Sequence, residues 1–291
     1  MKNLSLKLME GKICMITGAN SGIGKATATE LAKMGAIVIM ICRNKERGDK
    51  ALEEIKRKCK NGSLDLMIAD LSSQKAIHRL VQDFKEKYNH LNVLINNAGV
   101  NLSKCTLTID GIETTLAVNY LAPFLLCNLL FDSLEAGKPA RIVNVASSVQ
   151  AKSIDFENLN GEKHYHQMKA YSMSKAALIT FTYEFARRFD GYGVVINSLH
   201  PGYIRTNMIR NFRKFVKYFF PIISLFVKSP KRGAKTPIYC ASSPDIEGVS
   251  GKYFKNRKEA KSVKASYDEV LAKKLWDISI ELTNLNSEKR N

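Results

Sequence analysis

The sequence predicts an α/β chain built as one doubly wound parallel sheet with helices on both faces. Three observations carry that prediction. Short apolar runs of strand length alternate with helix-period segments along nearly the whole chain. A Gly-rich turn, Gly18-Ala-Asn-Ser-Gly22-Ile-Gly24, separates the first apolar run from the first helical pattern. Polar or Gly-rich markers fall just after one predicted strand after another, and in an open parallel sheet that edge binds ligands.

Taken in order, residues 12–17 are a short apolar run and the first strand. A helix follows over 23–34, and Gly35 is placed to end it. The second strand is 36–42 and the next helix 46–58. Residues 64–69 form a strand that runs into Asp70, and a helix covers 74–88. The strand 92–95 leads into Asn96-Asn97-Ala98-Gly99. A long helix is expected over 111–134. Its apolar stretch 116–131 is broken by Asn119, Pro123 and Asn128 and is short for a bilayer span, so it reads as a buried helix. The strand 140–145 ends at Ala146-Ser147-Ser148, and a helix runs from about Ala170 to Arg188. The strand 194–199 ends at His200-Pro201-Gly202. A last helix, about 263–282, follows the Lys-rich stretch 252–274. The reading is one domain over 11–285, flanked by an extension at 1–10 and a tail at 286–291.

Composition is ordinary for a globular chain of 291 residues, with 45% hydrophobic and 25% charged. Charge is not: 45 basic against 27 acidic residues leave +18. That balance suits a nucleic acid, an anionic membrane surface or a polyanionic cofactor, and equally a merely basic surface. Six scattered Cys with no C-x-x-C pair exclude a disulfide framework and indicate a reducing compartment; Cys14 and Cys42 lie in apolar runs and read as core. His164 and His166 have no ligand partners nearby in sequence, so no metal site is expected. Residues 1–11 hold no apolar signal region, which gives a cytoplasmic expectation.

Strand, Gly-rich turn, helix and strand within about 30 residues is the unit that binds dinucleotides. The glycines let the backbone approach a pyrophosphate, and the helix N-terminus offers unpaired N–H groups. At the end of the second strand an NAD site would usually carry Asp or Glu for the ribose 2′-hydroxyl. Here Arg43, Asn44, Lys45 and Arg47 make the corner basic, which favours the 2′-phosphate of NADP(H) over NAD(H).

In Ala170-Tyr171-Ser172-Met173-Ser174-Lys175, Tyr and Lys stand four apart, on one helix face. An ammonium near a phenol lowers its pKa from about 10 toward neutral and makes it a usable proton donor and acceptor. Alone, such a pair is more often a solvated helix face.

The motifs together change that reading. Thr17-Gly-x-x-x-Gly-Ile-Gly24, Asn96-Asn-Ala-Gly99, Asn119, Ser148, Tyr171-x-x-x-Lys175 and Pro201-Gly202 occur in the order of the short-chain dehydrogenase/reductase family, which the chain resembles over about 10–285. Within it the chain looks like the NADP(H)-preferring retinol dehydrogenase branch. Cys42-Arg43-Asn44, the stretch Asn158-Leu-Asn-Gly-Glu-Lys163 and Leu275-Trp276-Asp277 carry that likeness. Members of that branch commonly have an N-terminal membrane anchor, whereas this sequence reaches its first strand almost at once.

The resemblance implies a Rossmann-type fold and hydride transfer between a nicotinamide and a carbonyl or alcohol carbon. It makes Tyr171 the acid/base, Lys175 the residue that lowers its pKa and binds the nicotinamide ribose, and Ser148 the hydrogen-bond partner of the substrate oxygen, with Ser147 as the alternative. Asn119 would hold a water that links Lys175 to solvent. Gly18, Gly22 and Gly24 would frame the pyrophosphate, with loop contacts from Asn20, Ser21 and Ile23. Arg43 and Asn44 would meet the 2′-phosphate, Asp70 the adenine, and Asn97, Ala98 and Gly99 the adenosine ribose side. Pro201, Gly202, Ile204 and Thr206 would lie along the nicotinamide.

Residues 206–230 correspond to the family's variable substrate lid. The stretch 212–227 is aromatic, apolar and basic at once. It suits a lid over lipophilic aldehydes or ketones, a patch that enters a membrane interface, or a packing surface between copies of the chain. Pro221 breaks any continuous helix there. A ketoacyl or hydroxysteroid reductase, and a cofactor-sensing or nucleic-acid-binding protein on the same fold, are the competing classes. The Ser/Tyr/Lys set argues against the last two, so nucleic acid is not the expected partner.

Overall fold

The computed structural model describes residues 8–59, 63–202 and 229–285. The chain begins with β1 (Ile13–Thr17), α1 (Gly22–Lys33), β2 (Ile37–Cys42), α2 (Lys45–Lys56), β3 (Leu64–Ile68), α3 (Gln74–Lys87) and β4 (Val93–Asn96). Next come α4 (Thr114–Leu116), a π turn (Ala117–Leu121), α5 (Ala122–Leu129), α6 (Phe131–Ala136), β5 (Ala140–Val145), α7 (Gln167–Arg188) and β6 (Val194–His200). The described part ends with α8 (Pro230–Ser242), β7 (Lys252–Lys255), β8 (Lys258–Glu259) and α9 (Glu269–Thr283).

These strands make one sheet in the order β3-β2-β1-β4-β5-β6-β7-β8. All pairings are parallel except β7 with β8. The doubly wound parallel sheet expected from the alternation is therefore present. β1 lies between β2 and β4, with Met15 opposite Ile39 on one side and Leu94 on the other. A strand covered on both faces needs apolar residues at every position, and all five residues of β1 are buried.

Alternation along the strands divides their side chains between two cores. Met15, Ile39, Ile41, Leu94 and Ile142 join the core under α3, α5, α7 and α9. Cys14, Ile16, Val38, Met40, Ile95 and Val143 join the core under α1, α2 and α8. The chain winds one way from β1 to β3 and the other way from β4 onward, so the switch lies between β1 and β4. Their carboxyl ends open the crevice where such sheets bind ligands.

Four segments differ from the sequence reading. The long helix expected over 111–134 begins only at Thr114, because the buried Glu113 caps it by accepting from Thr115 N and Leu116 N at 2.8 and 2.7 Å. It opens into a π turn at Asn119 and breaks again at Leu130, where ψ is 3°. The last helix starts at Glu269 rather than near 263, since Asp268 accepts from Val270 N and Leu271 N. α8 and β7 were not foreseen. α8 contains Pro237, and β7 hides its two buried residues, Tyr253 and Phe254, between lysines in a basic run. No helix among the described residues is long and apolar enough to cross a membrane.

Candidate active site

Thr17, the last residue of β1, ties the two sides of the crevice together. Its hydroxyl accepts from Asn97 N at 2.9 Å and Ala98 N at 3.0 Å, and Asn97 Nδ2 donates back to Thr17 O at 2.8 Å. The Gly-rich turn packs against this seam. A Cβ at Gly18, where φ is +66°, would come within 3.0 Å of Ala98 Cα, and one at Gly24 would collide with Asn97 Nδ2 and Gly18 O. Gly22 differs: φ is +55°, and a Cβ there would meet nothing within 4 Å. So two glycines press the turn onto the protein and the third faces an open cradle. That cradle sits at the N-terminus of α1, where the Ser21 side chain forms no cap and the first turn carries no acidic residue. The positive end of the helix is thus left for an outside anion.

The same turn is stitched to the end of β2. Gly18 N donates to Ile41 O at 2.9 Å, and the backbone of Ala19 and Asn20 donates to the buried Cys42 thiol, whose pKa burial pushes up to about 11. Arg43 follows directly. It is exposed and makes no ion pair among the described residues. Its neighbours are engaged: Asn44 caps α2 by accepting from Arg47 N at 2.9 Å, and Lys45 pairs with Asp49 at 2.8 Å. Asp70, past β3, accepts from the amide and hydroxyl of Ser72 at 3.0 and 2.8 Å.

Across the crevice, Asn119 is held at the π turn. Its Oδ1 accepts from Val100 N at 2.7 Å, and its Nδ2 donates to Val100 O at 2.9 Å and Ser174 Oγ at 3.0 Å. Gly99 lets Asn119 and Lys175 approach one spot, since a Cβ there would lie 3.2 Å from Asn119 Oδ1 and 3.5 Å from Lys175 Nζ. Lys175 is 4% exposed, and its Nζ donates to Val145 O at 2.9 Å. Burial of the ammonium lowers its pKa to about 8. Its Nζ is 5.9 Å from the centre of the Tyr171 ring.

The Ser147 side chain, the alternative to the predicted Ser148, is the one that acts on the Tyr171 phenol. Ser147 Oγ accepts from Val149 N at 3.0 Å, while the Ser148 amide donates to His200 Nδ1 at 3.1 Å. The sequence reading also expected the ammonium to lower the Tyr171 pKa. In this structure the direction is upward, because burial of the phenol outweighs the opposing influence of Ser147. Behind the site runs a buried amide chain that the sequence reading passed over. Asn96 Nδ2 donates to Asn144 Oδ1 at 2.8 Å, and Asn144 Nδ2 donates to Thr182 Oγ1 at 3.0 Å. Asn at the ends of two adjacent apolar strands was the available signal.

The structure therefore brings Gly18, Gly22, Gly24 and Arg43 to one half of the crevice edge, and Gly99, Asn119, Ser147, Tyr171 and Lys175 to the other. Pro201 and Gly202 follow β6 at the same edge, with Gly202 at φ +97°. Ile204, Thr206 and all of the expected 206–230 lid except Ser229 and Pro230 lie outside the described residues. Chemically, the arrangement joins an anion cradle to a buried phenol, a hydroxyl that acts on it and a buried amine.

Comparison with known proteins agrees with that geometry. Residues 12–217 match the model of the short chain dehydrogenase family. Retinol dehydrogenase 14 of Homo sapiens is 42% identical over 295 residues, which cover 96% of this chain and 88% of that one. A crystal structure of a Mycobacterium paratuberculosis protein superposes with a TM-score of 0.76 at 29% identity, covering 94% of each chain. A Beutenbergia cavernae protein, described as an NAD(P)-dependent gluconate 5-dehydrogenase and solved with NADP bound at low occupancy, gives 0.70 at 25% identity. That match covers 85% of this chain and 96% of its own.

Proposed function

The chain belongs to the short chain dehydrogenase family, and from that premise we propose that it is an NADP(H)-dependent reductase of lipophilic aldehydes and ketones with Tyr171 as its proton donor and acceptor. As a member of that family it is an oxidoreductase acting on CH–OH groups and interconverts a carbonyl and an alcohol. The observation that carries the finer reading is the meeting of the Tyr171 phenol with Ser147 and with the buried Lys175, whose Nζ is 5.9 Å from the ring centre.

The cradle fits a dinucleotide. Gly22 faces open space, the α1 N-terminus is uncapped by Ser21, and Arg43 is a spare cation at the end of β2. Gly18, Gly22 and Gly24 would hold the pyrophosphate, Asp70 and Asn97 the adenosine, and Lys175 the nicotinamide ribose. Arg43 supports the 2′-phosphate, hence NADP(H) over NAD(H). When bound, the cofactor supplies or accepts the hydride.

The chain's own residues manage the proton and the charge. In the reducing direction Tyr171 gives its hydroxyl proton to the oxygen of the developing alcohol. Ser147 has one proton to donate, and it gives that hydrogen bond to the same oxygen as negative charge grows there. Lys175, brought to Gly99 and Asn119, stands next along the proton path from the phenol. Asn119 would hold the water through which the proton is replaced.

The substrate class rests on two supports. The 42% identical relative is named a retinol dehydrogenase, and the stretch 212–227 is rich in Phe, Ile and Val. NADPH oxidation against all-trans-retinal, medium-chain aldehydes and a ketosteroid tests it. The reading expects the retinal and the long aldehydes to be turned over best. Preference for small polar carbonyls would contradict it.

A further inference from the structure

The Ser147 carbonyl is held by two side chains. It accepts from Gln150 Nε2 at 2.8 Å and from the Tyr253 hydroxyl at 2.9 Å. Each donor is anchored elsewhere. Tyr253 stands on β7 and is 3% exposed. Gln150 Oε1 accepts from Val263 N at 2.7 Å, which fastens it to the strap between β8 and α9. The next peptide is also fixed, since Ser148 N donates to His200 Nδ1. The backbone on both sides of the Ser147 side chain is therefore pinned from β6, β7 and the C-terminal strap.

We propose that Tyr253 and Gln150 are positioning residues for the reaction, clamping the Ser147 carbonyl so that its hydroxyl stays beside Tyr171. The proposal rests on the reading above in which Ser147 is the serine that works with Tyr171. A hydroxyl can rotate about χ1, but its reach is set by where the peptide lies. A carbonyl oxygen has two lone pairs, and here two side chains use them. Removing one donor leaves the other in place. Removing both frees the peptide, and displacements of about 1 Å at a reacting group can cost about 100-fold in rate. The two losses should therefore not add.

A merely structural pin would lower the melting temperature and leave the titration of Tyr171 alone. A positioning pin does more, because Ser147 favours the ionised phenol. In the alcohol-oxidising direction Tyr171 must accept a proton, so the rate rises with pH through its pKa. Displacing Ser147 moves that midpoint upward.

The test measures kcat, KM and the pH midpoint of alcohol oxidation in the full chain with saturating NADP. The variants are Tyr253→Phe, Gln150→Leu, the pair together and Ser147→Ala. Tyr88→Phe, which loses a hydroxyl bond to Asp65 far from the crevice, is the control. Each single variant should lose about threefold in kcat and the pair about 100-fold, well beyond the product of the two, with KM changed less than about twofold. The midpoint should rise by about half a unit toward that of Ser147→Ala, and stay put in Tyr88→Phe. If the pair does not fold, the midpoint of Tyr253→Phe alone decides. Ser147→Ala moving kcat and midpoint while the clamp variants move neither would overturn the clamp and spare the site. Ser147→Ala moving neither would remove the serine reading and the clamp with it. An equal midpoint shift in Tyr88→Phe would reduce the effect to general loosening and also overturn the proposal.

Discussion

The Ser147 side chain, two residues past the end of β5, is the group that favours ionisation of the Tyr171 phenol in α7. Burial pushes the phenol upward, and Ser147 is the influence that opposes it. Of the two adjacent serines, the structure thus gives one a direct hold on the acid/base candidate. The expected outcome is unequal: Ser147→Ala loses about 100-fold or more in kcat, and Ser148→Ala, whose amide bond to His200 survives truncation, loses less than about tenfold. Steady-state kinetics on the two single variants checks this. A larger loss at Ser148 would return the role to the residue that the family pattern selected.

Lys175 illustrates the cost of a functional charge. Its ammonium is buried, with one carbonyl at 2.9 Å, and its pKa falls from 10.5 to about 8. Between those two values the unfolded chain holds the proton and the native chain does not. Through this group, native stability therefore rises as pH climbs from about 8 to 10.5 and is lowest below 8. Lys175→Met removes the buried charge at similar volume. It should raise the melting temperature at pH 7 while abolishing turnover, and the gain over wild type should shrink toward pH 10. Melting curves at the two pH values read it directly.

Arg43 is the spare cation at the end of β2, while Asn44 and Lys45 are used by α2. Arg43→Asp should weaken NADPH binding by about tenfold or more and leave NADH within about threefold. Fluorescence titration with the two cofactors separates the cases. Equal losses for both would sink the 2′-phosphate assignment.

Thr17 is the seam between β1 and β4. Thr17→Val leaves Ala98 N without its acceptor and should cost about 1–3 kcal/mol in urea unfolding, whereas Thr17→Ser should retain most of the stability. Equal stability of the two variants would mean that the hydroxyl carries nothing there.

Much of this was legible in the residues. Strands such as β1 and β2 announced themselves because a strand buried on both faces must be apolar throughout. The crevice half made by Gly18, Gly22, Gly24 and Arg43 was readable because a backbone cradle needs glycines at fixed places after a strand. What was not legible depends on side-chain partners far apart in the chain. Ser147 and Ser148 are identical as letters, and only the fold decides which one meets Tyr171. The upward push on Tyr171 reflects burial, which spacing on a helix does not encode. β7 was hidden because its lysines face outward at both ends, and α8 because Pro237 reads as a breaker. The helix interruption at Asn119 comes from its bonds to Val100, 19 residues away.

The most direct test is turnover of all-trans-retinal with NADPH by the wild-type chain and by Tyr171→Phe, with NADPH binding measured in both. The account predicts NADPH oxidation by the wild type. It predicts a loss of at least about 100-fold in the variant, with NADPH affinity unchanged within about threefold. A Tyr171→Phe variant that turns over at near the wild-type rate would contradict the assignment of Tyr171 as proton donor, and with it the mechanism.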